Sequence, residues 1–92
     1  MNKQELAKQY LSALVIPLTR KPEMVVINTH VDDNGRGIIM NVLADDIDLP
    51  LLIGGGGLMA RTIRRMMLAW CELNSARVIV HIGNPLQYKE HD

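Results

Sequence analysis

Four consecutive glycines, Gly54 to Gly57, divide the second half of this chain into two unlike pieces. Before them lies the apolar run Leu49-Pro50-Leu51-Leu52-Ile53. After them comes a stretch with helical spacing that carries Arg61, Arg64 and Arg65. Without a Cβ, such a join can turn at positive φ, admit a ligand close to the backbone and present bare N–H groups at the start of a helix. Phosphate is the ligand chemistry that this arrangement suits.

The rest of the composition bounds what can surround that join. A chain of 92 residues without an internal repeat predicts one domain with one modest core. There is no Phe, and Tyr10, Trp70 and Tyr88 are the only aromatics, so the core must be aliphatic and the chain is poor in rings for base stacking. Ten basic and ten acidic residues cancel, which argues against a grip on nucleic acid by overall charge. Their distribution is uneven. From Asp32 to Asp48 five Asp stand against Arg36, whereas from Arg61 to Arg77 four Arg stand against Glu72, so an anion site belongs to the C-terminal half.

Cys71 is the only cysteine and has no CxxC partner, so it reads as a packing residue and fits a reducing cytoplasm. Lys3 and Lys8 before Leu11 to Ile16 faintly mimic a signal peptide. Glu5 and Gln9 interrupt that pattern, and no small-residue cleavage site follows. No stretch approaches the roughly 18 apolar residues of a membrane span. The expectation is a soluble, cytoplasmic protein.

Apolar residues at Ala7, Tyr10, Leu11, Leu14, Val15 and Leu18 mark one face of a helix over residues 3 to 18, ending near Pro17. Alternation at Val25, Ile27, Thr29 and Val31, and again at Ile38, Met40 and Val42, predicts two strands. Asn34-Gly35 between them suits a tight hairpin turn. The Leu-Pro-Leu-Leu-Ile run fits either a buried strand or a short helix capped by Asp48. Pro50 favours the helix, because its missing N–H costs nothing in a first helical turn and would cost a ladder bond in a central strand. A long helix over residues 58 to 74 and a third strand from Arg77 to Ile82 follow. Residues 1–83 are expected to form the domain, and residues 84–92 a fraying tail.

The resulting order is α-β-β-α, glycine loop, α-β, an α+β class with a three-stranded sheet covered by helices on one face. At about 100° per residue, Met59, Ile63, Met66, Met67 and Trp70 fall on one arc of the long helix. Arg61, Arg64 and Arg65 fall on the opposite arc with the last glycine, so the cations and the loop are expected to share a face.

Ile53-Gly54-Gly55-Gly56-Gly57 followed by Ala60-Arg61-Thr62-Ile63-Arg64 resembles the I-G-x-x-G…A-[KR]-x-I-R signature of KH domains. The element order is that of the type II KH fold, and Ile16-Pro17-Leu18 with Pro22-Glu23 resembles a segment of the small stand-alone bacterial KH proteins, the KhpA-like family. The resemblance covers roughly residues 5 to 82. It implies a module for single-stranded RNA, with DNA as a possible substitute, in which a GxxG loop clamps the backbone of about four nucleotides. By position, Gly54, Gly55, Gly56 and Gly57 would form the phosphate loop, with Leu58 following directly and Arg61, Arg64 and Arg65 supplying cations. Leu52, Ile53 and apolar residues of the second strand, such as Ile39 or Met40, would floor a groove for bases. The family also implies self-association as a homodimer, or pairing with another KH-containing protein.

This sequence departs from the family where Lys or Arg usually occupies the loop or follows it, since those places hold Gly55, Gly56 and Leu58. Phosphate capture would then rest on backbone N–H groups and the helix dipole, and weak binding is expected. The bland readings are a plain helix-helix turn for the glycines and a solvated face for the arginines. A degenerate KH domain kept for protein contacts is the alternative function. Catalysis is not expected. A Walker loop would need Lys-Ser or Lys-Thr where Leu58-Met59 stand, and a dinucleotide site would need an acidic residue about 20 positions on within a βαβ unit. His30 and His81 lie on strands without ligand spacing to any Cys or carboxylate, so neither a metal nor a cofactor is expected.

Overall fold

A computed structural model describes residues 2–83. Helix α1 runs from Lys3 to Val15, and its first turn is closed by Asn2, whose Oδ1 accepts the Glu5 N–H at 2.8 Å. Pro17 ends it by turning the chain into a single 3₁₀ turn, Ile16–Leu18, and a second such turn spans Pro22–Met24. Strands β1 (Val26–Val31) and β2 (Ile38–Leu43) form an antiparallel hairpin.

The hairpin loop is wider than the tight turn expected from Asn34-Gly35. Asp32 organises it, accepting the Asn34 and Arg36 N–H groups on Oδ1 at 3.1 and 3.0 Å, and only Gly35 takes positive φ. An Asx-type side-chain contact has replaced the mirror-image backbone turn that an Asn-Gly pair alone favours.

Helix α2 (Leu49–Ile53) is the short Pro-containing helix, α3 (Leu58–Asn74) follows the glycines, and β3 (Val78–Gly83) completes the sheet in parallel with β2. Strand order is β1-β2-β3, so β2 is central and both other strands are edges. Helices α1 and α3 bury Ala7, Leu11, Val15, Ile63 and Met67 against Ile27, Met40, Val42 and Val80 on one face. Each of these side chains larger than Ala7 stabilises the fold by about 1.5 to 3 kcal/mol on full burial. The tail expected at residues 84–92 lies outside the described residues.

Tyr10 and Trp70, the aromatics among the described residues, are consumed by this packing. Tyr10 and Trp70 stack with ring centroids 6.3 Å apart and planes at 25°, and the Tyr10 hydroxyl donates to the Met66 carbonyl at 3.3 Å. Cys71 is buried among the same helices, and burial pushes its thiol up from the ordinary value. Such a thiol is a core residue rather than a nucleophile.

One position contradicts the apolar logic of a central strand. Asn41 lies between the fully covered Met40 and Val42, so it points to the other face of the sheet, flanked in register by Asn28 and His81. It is only 5% exposed, and its Nδ2 has no hydrogen-bond partner among the described residues. Asn41→Val should therefore stabilise the chain by about 1 kcal/mol, since it removes an unpaired donor and adds a β-branched side chain. A urea midpoint below that of the wild type would contradict this reading.

Candidate functional site

The site is built around the turn from α2 into α3. Gly54 ends α2 by donating its N–H to the Pro50 carbonyl at 2.9 Å, with φ +77° and ψ 168°, a region open in practice to glycine alone. A Cβ there would lie 2.7 Å from the Met59 backbone nitrogen. Gly57 closes the turn, donating to the Gly54 carbonyl at 3.0 Å with φ +79°. Gly55, by contrast, has open space around it and no positive φ. The amides of Gly55 and Gly56 donate to no described backbone carbonyl, so two N–H groups are left over at the entrance to α3.

The three arginines part company. Arg61 turns back, and its Nη1 donates to the Gly56 carbonyl at 2.8 Å, which sets a guanidinium against the loop. It supplies the cation that the loop's own residues lack. Arg64 instead donates from Nε to the Val80 carbonyl of β3 at 3.1 Å, so it belongs to the seam between α3 and β3. Arg65 is exposed, one turn after Arg61 on the solvent side of the helix. The expectation that all three cations share the loop's face thus holds for Arg61 and needs correction for Arg64.

Three of the residues expected to floor a base groove do not reach one. Leu52 and Met40 have 0% exposure and sit in the core, so neither offers surface to a ligand. Ile39 alternates with Met40 and therefore lies on the face of the sheet away from the helices and the glycine loop. The apolar surface beside the loop comes instead from Leu51, Ile53 and Leu58, the last 61% exposed. Leu51 had no signal in the sequence, because the rotation of a five-residue helix against its neighbours is set by packing.

The outer edge of β3, which pairs with no strand among the described residues, had none either. Ile38 and Ala44 donate to the Arg77 and Gly83 carbonyls. In a parallel ladder this turns the carbonyls of Val78, Val80 and Ile82 outward, where Arg64 takes that of Val80. No helix among the described residues is long and apolar enough to cross a membrane.

An α-β-β-α-α-β chain whose glycine turn joins the last two helices beneath a three-stranded mixed sheet has a KH-like fold. Two solved structures of Era show it. The chain is similar to Era in complex with MgGDPNP and nucleotides 1506–1542 of 16S ribosomal RNA, with a TM-score of 0.61 and 15% identity over 89% of this chain and 30% of that one. It is equally similar to a single-residue variant of Aquifex aeolicus Era bound to GDP.AlF4-, with a TM-score of 0.62 and 15% identity over 92% of this chain and 33% of that one. The chain thus spans about a third of the Era chains it matches, and the likeness is one of fold. No family model and no curated protein matches the sequence.

Proposed function

We propose that this chain is a non-catalytic KH-like module that holds single-stranded RNA, with the Gly54–Gly57 turn and Arg61 gripping the phosphate backbone. The observation that carries the proposal is the Arg61 guanidinium bonded to the Gly56 carbonyl beside the two undonated amides of Gly55 and Gly56. Backbone N–H groups at a helix entrance and one charge-assisted donor together suit a phosphate oxygen. The complex of Era with 16S ribosomal RNA supports RNA as the ligand class for this fold. The parallel β2-β3 pairing supports the type II arrangement, and the sequence pattern resembles that of the short KhpA-like proteins.

Gly55→Asp tests the grip with little risk to the fold, because the added side chain meets open space at an ordinary φ. Placing a carboxylate against phosphate should weaken the binding of a short unstructured RNA by at least about tenfold, equivalent to roughly 1.4 kcal/mol. With Arg61 as the cation engaged at the loop, the wild-type slope of log K against log salt should be about −0.7. Equal affinity of variant and wild type in a fluorescence anisotropy titration would remove the loop from the mechanism.

The second reading is a protein-pairing or dimerisation module, favoured by the exposed Met66, Leu68 and Leu73 along α3. It gains if the wild type shows no RNA binding in the same titration.

A further inference from the structure

The contact that takes Arg64 away from the glycine loop gives it a different task. Its Nε is tied to the Val80 carbonyl on the outer edge of β3, and this is its only hydrogen bond among the described residues. The side chain is therefore held across the seam between α3 and β3, while Nη1 and Nη2 remain free at its outer end. The residue as a whole is exposed, so that end meets solvent. Leu68, one helical turn further along α3, is 59% exposed and gives the seam an apolar flank. No carboxylate among the described residues pairs with Arg64 to occupy those donors.

A guanidinium anchored through Nε presents its two terminal N–H groups as a planar, fixed fork. Such a fork matches two adjacent acceptors in one plane and is mismatched to an acceptor beside a donor. Guanine offers N7 and O6, and cytosine offers N3 and O2. In adenine each ring acceptor of the Watson–Crick or Hoogsteen edge neighbours the N6 amino donor, and in uracil the N3–H donor separates the two carbonyls. Unpaired RNA bases expose these edges.

Resting on the RNA-binding reading above, we propose that Arg64 selects the base rather than holding the backbone, favouring guanine or cytosine over adenine and uracil at one position of the bound strand. Arg61 and the loop amides then set affinity, and Arg64 sets preference. The division follows from where each guanidinium is fixed, one against the loop and the other against the strand edge.

The test uses uracil-rich RNA octamers that carry a single central guanine, cytosine or adenine, titrated by anisotropy with the full chain at several salt concentrations. Wild type should prefer the guanine or cytosine octamer over the adenine and all-uracil ones by about tenfold, the scale of one bidentate base contact. Arg64→Lys keeps the charge and loses the fork, so the preference should collapse to about twofold or less. Arg64→Gln should lose it too while leaving the salt slope at the wild-type value. A salt slope shallower by about 0.7 in Arg64→Gln, with the base preference intact, would show a phosphate ligand and overturn the proposal. So would equal wild-type binding of all four octamers, an outcome that leaves the RNA-binding reading standing. Absence of wild-type binding to every octamer would remove both.

Discussion

Gly54→Ala is expected to destabilise the chain by about 3 kcal/mol, lowering its thermal midpoint by roughly 15 °C, while Gly55→Ala leaves the midpoint unchanged or slightly raised. Two costs add at Gly54. Its φ of +77° with ψ of 168° excludes a side chain on local grounds, and the new Cβ would stand 2.7 Å from the Met59 nitrogen and 2.8 Å from the Met59 Cβ. Backbone of the first turn of α3 cannot step aside as a flexible side chain can. Because both costs fall at the joint between α2 and α3, the loop should be displaced before the sheet is. Circular dichroism melts of the two variants beside wild type measure the contrast. Similar midpoints for the two would mean that Gly54 is no more special than its neighbour.

Asp48→Ala should cost about 3 kcal/mol as well, for a reason that no local motif reveals. Asp48 stands where a helix cap would, yet its side chain caps nothing in α2. The carboxylate has 0% exposure and accepts the Arg20 and Lys21 N–H groups at 2.7 and 2.9 Å. It pins the linker after α1 to the start of the helix that leads into the glycine turn. Truncation strands two backbone donors and opens a void, whereas Asp48→Asn keeps one carbonyl acceptor and should fall between the alanine variant and wild type. Urea unfolding of the three proteins checks the order. An alanine variant within about 0.5 kcal/mol of wild type would show that water satisfies those donors equally well.

Asp48 also shows how far the sequence carried the fold. Its place before Leu-Pro-Leu-Leu-Ile correctly indicated a helix start, because proline fits a first turn on local grounds. Its actual partners are 27 and 28 residues away, a pairing that local chemistry cannot announce. The long helix, the three strands and their sequence along the chain were legible for the same local reason: periodicities of 3.6 and 2 are written into α3 and β2 themselves. The hairpin loop was misjudged because Asp32 outcompeted the Asn-Gly pair for control of the turn.

Among the candidate site residues, the glycines and Arg61 came together as the spacing indicated, since five residues of loop and helix settle their relation. Met40 and Ile39 did not, although alternation correctly put them on opposite faces. Periodicity shows which side of its own strand a residue occupies, and only the neighbouring layer decides whether that side is covered. Helices cover the Met40 side of β2, and Ile39 faces away from the glycine turn.

The chain's own sequence determined that two short-range facts must hold: a turn without side chains at Gly54 to Gly57, and a helix after it with arginines off its apolar face. Both depend on backbone freedom and helical period, which act within a few residues. Tertiary structure alone decided what Arg64 does. With β3 at the sheet edge, an outward carbonyl at Val80 lies within reach of Arg64, and Arg61 is left to the loop. Edge and centre are properties of strand order, and strand order is settled by which layers bury the most apolar surface together.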